Sequence, residues 1–333
     1  MKTLALALTS LLAPATLFAT VLTVSNETGY PAQYSNLQSA HDAAAGGDTL
    51  YVTPSATNYG SLTVDRAITV IGGGYGNAGA NSNMDQVLCW DGSSGSGFIG
   101  LSINLFYVNG PSGNSDLLVE RCLVSNVANY YGTPIDGLII KHSILNSVSL
   151  ASNFTNVLIT NNVIRAQVTG STSPSVLISN NVFTNTGSYT LVSIQYAVVS
   201  NNIFYGSAPS YDGGGVENCA FNNNLSYQTT DDDLPPTGSN VGSGNFVGQD
   251  PLFVNVPDLQ GLPSYDYHLQ AASPGNNGGT DGTDIGLYGG SAPLNVALDG
   301  VPRLPKVTQF DLLNSSIGQG GSINVQVQGS KHD

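Results

Sequence analysis

The segments VERCLV (119–124), IKHSIL (140–145), ITNNVI (159–164), ISNNVF (178–183), VSNNIF (199–204) and VENCAF (216–221) share one order: aliphatic residues, a polar pair, then aliphatic residues again. Their fourth positions, Cys122, Ser143, Asn162, Asn181, Asn202 and Cys219, are 21, 19, 19, 21 and 17 residues apart. A fixed period near this length is the mark of a repeat architecture. β-Branched residues open each copy and no helical pattern separates the copies, whereas a βαβ unit needs a dozen or more crossover residues. The pattern predicts a chain that coils once per repeat, each coil lying on the last at ~4.8 Å and burying a continuous core. Leucine-rich repeats share the period, but their Leu/Asn consensus and their helix are missing.

The polar pair marks a bend that turns backbone groups away from water. An Asn amide can donate and accept, so stacked copies satisfy the coils above and below. Cys122, Ser143, Asn162, Asn181, Asn202 and Cys219 are therefore expected to form one structural ladder. Its two cysteines would stand five steps apart, about 24 Å at sheet spacing, while bridged Cα atoms lie roughly 4.4–6.8 Å apart.

A stacked coil must be capped at its ends. Leu37, Ala40, Ala44 and Ala45 follow an approximate helical spacing after Ser35 and Asn36 and before Gly46 and Gly47, which predicts a capping helix carrying His41 in a surface or capping role. Beyond residue 293 a proline-spaced linker leads to VTQFDLL and SINVQVQ around a Gly-rich turn, a hairpin pattern. This tail either folds over the last rung or offers a strand edge to another chain, including a second copy. The domain reading is residues 1–19 as a signal peptide, 20–75 as cap and first rung, 76–293 as the coil, and 294–333 as linker and hairpin.

Composition narrows the function. Lys2 ahead of an apolar run ending in small residues has the order of an export signal, so a secreted or cell-surface location is expected. No later stretch is long and apolar enough to span a bilayer. With only 8 Lys and Arg against 22 Asp and Glu, the chain has no basic patch for phosphate, and nucleic acid is not an expected partner. Three cysteines in an exported chain make no disulfide framework.

The cap helix with GGDTLYV, the ITVIGG strand, the Asn-bearing rungs and the closing DPLFVN and DYHLQAASPGNNGGTDGTDIGLYGG together resemble secreted right-handed parallel β-helix proteins of the pectin-lyase-like superfamily. More narrowly they resemble its bacterial surface proteins with a DPLF…SP…G closing segment, over about residues 21–293. The resemblance implies an all-β solenoid of about nine or ten rungs with an N-terminal capping helix and a C-terminal hairpin. It implies no single activity, since the superfamily spans lyases, hydrolases, epimerases and adhesins.

Lyases of that superfamily use Arg or Lys as base, often beside Ca²⁺, and its hydrolases use paired carboxylates. Glu120 and Lys141 occupy the same repeat position on adjacent rungs, as do Arg121 and His142, which makes these four the candidate catalytic set. Alternation predicts Glu120 and Lys141 outward, about 5 Å apart. A cross-rung ion pair on a solvated face is the plainer reading of the same residues. Tyr130, Tyr131, Tyr205 and Tyr211 lie near rung corners or loops and are candidate sugar-stacking residues. Asp231, Asp232 and Asp233 are the candidate Ca²⁺ ligands, or a solvated acidic loop; no other cofactor is called for. The segments that mark pectate lyases, polygalacturonases and mannuronan epimerases are missing. The expectation is a structural or adhesive module binding glycan or a surface protein, with an enzyme on acidic polysaccharide as the alternative.

Overall fold

The computed structural model describes residues 19–76, 81–129, 132–187, 189–211, 215–229, 233–295, 297–302, 306–313, 320 and 322–330. The chain winds into a parallel β-solenoid of about eight turns. One long sheet has ten strands in the order of the turns, from Val21–Val24 to Ala220–Asn222. A second runs beside it from Ser61–Val64 to Leu225–Tyr227, and a short third sheet of Asn114–Ser115, Ile135–Asp136 and Phe154–Thr155 forms another face. The expected nine or ten rungs correspond to the strands of the long sheets, and the turns completed are fewer.

Register does not slip along the ten-stranded sheet. Val119, Ile140, Ile159, Ile178, Val199 and Phe221 pair in sequence and are all fully buried. Burying each such side chain is worth roughly 1.5–3 kcal/mol, and stacking lets every turn bury what it could not bury alone. Phe183 and Phe204 stack across adjacent turns, with ring centroids 4.9 Å apart. At the N-terminal end the helix Leu37–Ala43 covers the open coil with Leu37 and Ala40; Asn36 caps it by accepting from the Ser39 N–H at 2.9 Å. His41 is buried on this helix, its Nε2 3.5 Å from Asp65 and its Nδ1 3.2 Å from Asp42.

Two aliphatic columns point outward from the coil. Leu118, Ile139, Leu158, Leu177, Val198, Ala220 and Val241 align in register on the solvent side of the ten-stranded sheet. Just past the polar corner, Ile144, Val163, Val182, Ile203 and Leu225 align on the neighbouring sheet. The first column is half-buried to exposed, whereas every member of the second is fully buried.

The second column is covered by the C-terminal part of the chain. After an antiparallel pair, Phe253–Asn255 with Asp266–Leu269, residues 275–295 and 297–302 run back along the corner as a strap whose Ile285, Leu287, Leu294 and Leu298 pack on that column. Residues 294–295 and 297–302, expected to be a linker, are thus part of the strap; Leu294 and Leu298 are buried. At its far end Gly300 holds φ +75°, and a Cβ there would sit 2.3 Å from the Tyr75 ring. The hairpin of Lys306–Leu312 and Val325–Ser330 follows.

Candidate functional site

The two residues of each polar pair have different roles. The second turns inward: Asn162 Nδ2 donates to Asn181 Oδ1, Asn181 Nδ2 to Asn202 Oδ1 and Asn202 Nδ2 to Asn224 Oδ1, each at 3.0 Å. Asn224 continues the run to Asn245. Toward the N-terminal end Ser143 N–H donates to Asn162 Oδ1 and Cys122 N–H to Ser143 Oγ. Cys219 does not belong to this ladder. It stands in the column of another corner, where its N–H donates to Asn240 Oδ1, and the position level with Asn202 is taken by Asn224. All three cysteines are free and buried, and burial pushes the Cys122 thiol up to about 12.

The first residue of each pair is left-handed: Arg121, His142, Asn161, Asn180, Asn201 and Asn223 have φ between +52° and +56°. That conformation costs a non-glycine residue about 1–2 kcal/mol, least for Asn. It aims the side chains at the strap. Asn223 Nδ2 donates to Gly278 O, Asn201 exchanges hydrogen bonds with Thr280, and Asn161 Nδ2 donates to both Leu287 O and Gly289 O. His142 Nε2 donates to Ala292 O and Arg121 Nε to Val301 O, both at 2.9 Å. Rising residue numbers in the strap meet falling numbers in the coil.

The candidate catalytic set is therefore together but not open. Glu120 and Lys141 pair in register on the outer face, 3.4 Å apart and about a quarter exposed. Arg121 and His142, expected beside them on a solvated face, are buried under the strap at 4% and 6% exposure. His142 Nδ1 lies 3.5 Å from Glu120. Burial pushes the Glu120 carboxyl up, but the facing His142 ring and the Lys141 ammonium outweigh it, and the net shift is below the usual carboxylate range.

The remaining candidates are scattered. Tyr205 stacks on Tyr227 with centroids 5.9 Å apart and borders a small hollow near Asp250 and Gln270. Tyr211 meets Tyr189 edge-on. Tyr130, Tyr131, Asp231 and Asp232 lie outside the described residues; Asp233 is exposed. Among the described residues no three His, Cys, Asp or Glu side chains group as a metal site. Nor, among them, is any helix long and apolar enough to cross a membrane. Arg165 is half-buried, its guanidinium donating to Gly261 O.

Sequence reasoning passed over an open cleft on the third face. It holds about 460 Å³ and is lined by Ser94, Ser112, Asn114, Asp136, Asn153 and Thr155. A second hollow of about 320 Å³ shares Pro134 with it and carries Trp90, the chain's one tryptophan, at 39% exposure. The Thr133 hydroxyl and the Asn153 side-chain carbonyl, on these walls, have no hydrogen-bond partner among the described residues. Ser94, Ser115, Asp136 and Thr155 are 21, 21 and 19 residues apart and the last three pair in register, but the residue type varies along the row, so no common motif announced them. No protein-family model matches this chain, and no curated protein matches it in sequence.

Proposed function

We propose that this chain is an exported β-solenoid module that binds a neutral glycan along the third-face cleft without transforming it. The observation that carries this reading is the cleft: an exposed indole beside a polar trough of hydroxyls and amides is the chemistry that stacks on and hydrogen-bonds to pyranose rings. Asp136 lines the trough, with Asp91 beside it accepting from Ser112 and no Lys or Arg among the lining residues, which favours an uncharged polymer over an acidic one. The burial of Arg121 and His142 beneath the strap weighs against a lyase centred on them. Export rests on residues 1–19, and likeness to the pectin-lyase-like surface proteins rests on the stacked Asn corners and the closing segment.

The test is glycan-array binding by the mature chain, followed by incubation with bound polymers and detection at the unsaturated-uronate absorbance and by reducing ends. Binding to neutral polysaccharide without product is expected, and Trp90→Ala is expected to weaken it about tenfold, the worth of one stacking contact. Binding to acidic polymers alone, or product that Lys141→Ala abolishes, would overturn the reading.

A further inference from the structure

The trough on the third face is built in levels, one per turn of the coil. Four successive turns cross it, by residues 91–94, 112–115, 133–136 and 153–155, and each leaves one polar side chain at either edge. The edge toward Trp90 carries Asp91, Ser112, Thr133 and Asn153, which are 21, 21 and 20 residues apart. The other carries Ser94, Ser115, Asp136 and Thr155. Ser115, Asp136 and Thr155 pair in register and face outward, while their neighbours Asn114, Ile135 and Phe154 are buried.

Hydrogen bonds tie the levels together. The Ser115 N–H donates to Ser94 Oγ at 3.0 Å, Ser112 Oγ to Asp91 Oδ2 at 3.1 Å, and Thr155 Oγ1 to Asp136 Oδ1 at 2.9 Å. Each edge is therefore a row of oxygen-bearing side chains that advances ~4.8 Å per level, roughly 14 Å over three steps. The fold does not use all of this polar capacity. Thr133 is 3% exposed, and its hydroxyl, like the Asn153 side-chain carbonyl, has no hydrogen-bond partner among the described residues. Buried polar atoms of this kind are costly unless something else satisfies them.

A pair of rows with this step selects its ligand by shape. Each ring of a β-1,4-linked pyranose polymer lengthens the chain by close to one level and carries hydroxyls on both edges. Successive rings turn over, so each kind of hydroxyl faces the two edges by turns, and the trough offers polar groups on both sides at every level. An α-1,4-linked chain curls and soon leaves the rows.

We infer that the trough takes an extended, neutral β-1,4-linked glycan lying along the coil axis, one ring per turn over four turns. This rests on the reading of the cleft as a glycan site and adds to it the linkage, the direction and the number of rings.

The experiment is calorimetric titration of the mature chain with cello-, manno- and chito-oligosaccharides of one to eight rings, and with malto-oligosaccharides as the α-1,4-linked counterpart. In at least one β-1,4-linked series, affinity is expected to rise about fivefold per ring, the worth of one net hydrogen bond, up to the tetramer and then level off. The malto series should show no such climb. Asn153→Ala/Thr155→Val removes the last level; with wild-type circular dichroism, it should bind the tetramer no better than the trimer. A plateau at one or two rings, a climb past five, malto binding as tight as the best β-1,4-linked series, or a climb to four that survives in the last-level variant would overturn the inference. So would binding confined to other neutral glycans, and in all these cases the cleft would still be a glycan site. Failure to bind any neutral glycan would overturn the underlying reading together with the inference.

Discussion

The two outward aliphatic columns are built alike and end differently. Leu177 and Val182 lie five residues apart on the same turn, on either side of the Asn180–Asn181 corner, and both point away from the coil axis. Val182 is fully buried and Leu177 is 36% exposed. The difference comes from outside the repeat: the strap covers one column and passes by the other. A solenoid rung is thus not complete in itself. The same local pattern becomes core or surface according to what the remote end of the chain brings to it.

The sharpest way to break the comparison is to place a carboxylate in each column. Val182→Asp is expected to cost about 4 kcal/mol or more, since a buried charge there has no partner and the strap must lift. The measurement is the denaturant midpoint, and a loss comparable to that of Leu177→Asp would show that the strap contributes no packing. A smaller effect is expected at the docking corner. Asn201→Gly keeps the left-handed backbone free of strain and removes only the two hydrogen bonds to Thr280, so about 1–2 kcal/mol should be lost, read as the same midpoint shift.

The smallest effect belongs to the polar strip between the columns. The folded-state pKa of Glu120 is depressed, so its contribution to stability is present above the unfolded value, ~4.3, and is lost as pH falls through the folded value. Lys141→Met removes one of the charges that hold it down. At pH 7 the melting temperature should fall by the equivalent of ~0.5 kcal/mol, and the difference from wild type should close in acid once Glu120 is protonated in both. A difference that persists unchanged at pH 2 would assign the loss to packing of the lysine stem instead.

The coil was legible because its information is local and periodic. Inward aliphatics such as Ile159 and Ile178 and corner amides such as Asn162 and Asn181 recur with each turn, and pairing in register follows from that. The same reliance on pattern misplaced Cys219: VENCAF imitates a rung, but the 17-residue spacing was too short, and Asn224 lies 22 residues beyond Asn202. The burial of Arg121 and His142 could not be read in this way. Their partners are backbone carbonyls of Val301 and Ala292, 180 and 150 residues away, and a carbonyl leaves no trace in the sequence. The cleft beside Trp90 was hidden for another reason: Ser115, Asp136 and Thr155 stack at rung spacing but differ in type from turn to turn, so the face carries no recurring residue to mark it.

The strap also acts as a ruler. Most solenoids can gain or lose a repeat by duplication, because each turn contacts only its neighbours. Here a single segment must reach from Asn223 at one end to Tyr75 at the other, meeting a particular corner residue at nearly every level. An extra turn would leave the strap one step short, stranding a left-handed corner and a stretch of aliphatic column in water. The length of the coil is therefore set by its last 30 or so residues before the hairpin rather than by the repeat itself, and lineages of this fold should vary in their loops far more readily than in their number of turns.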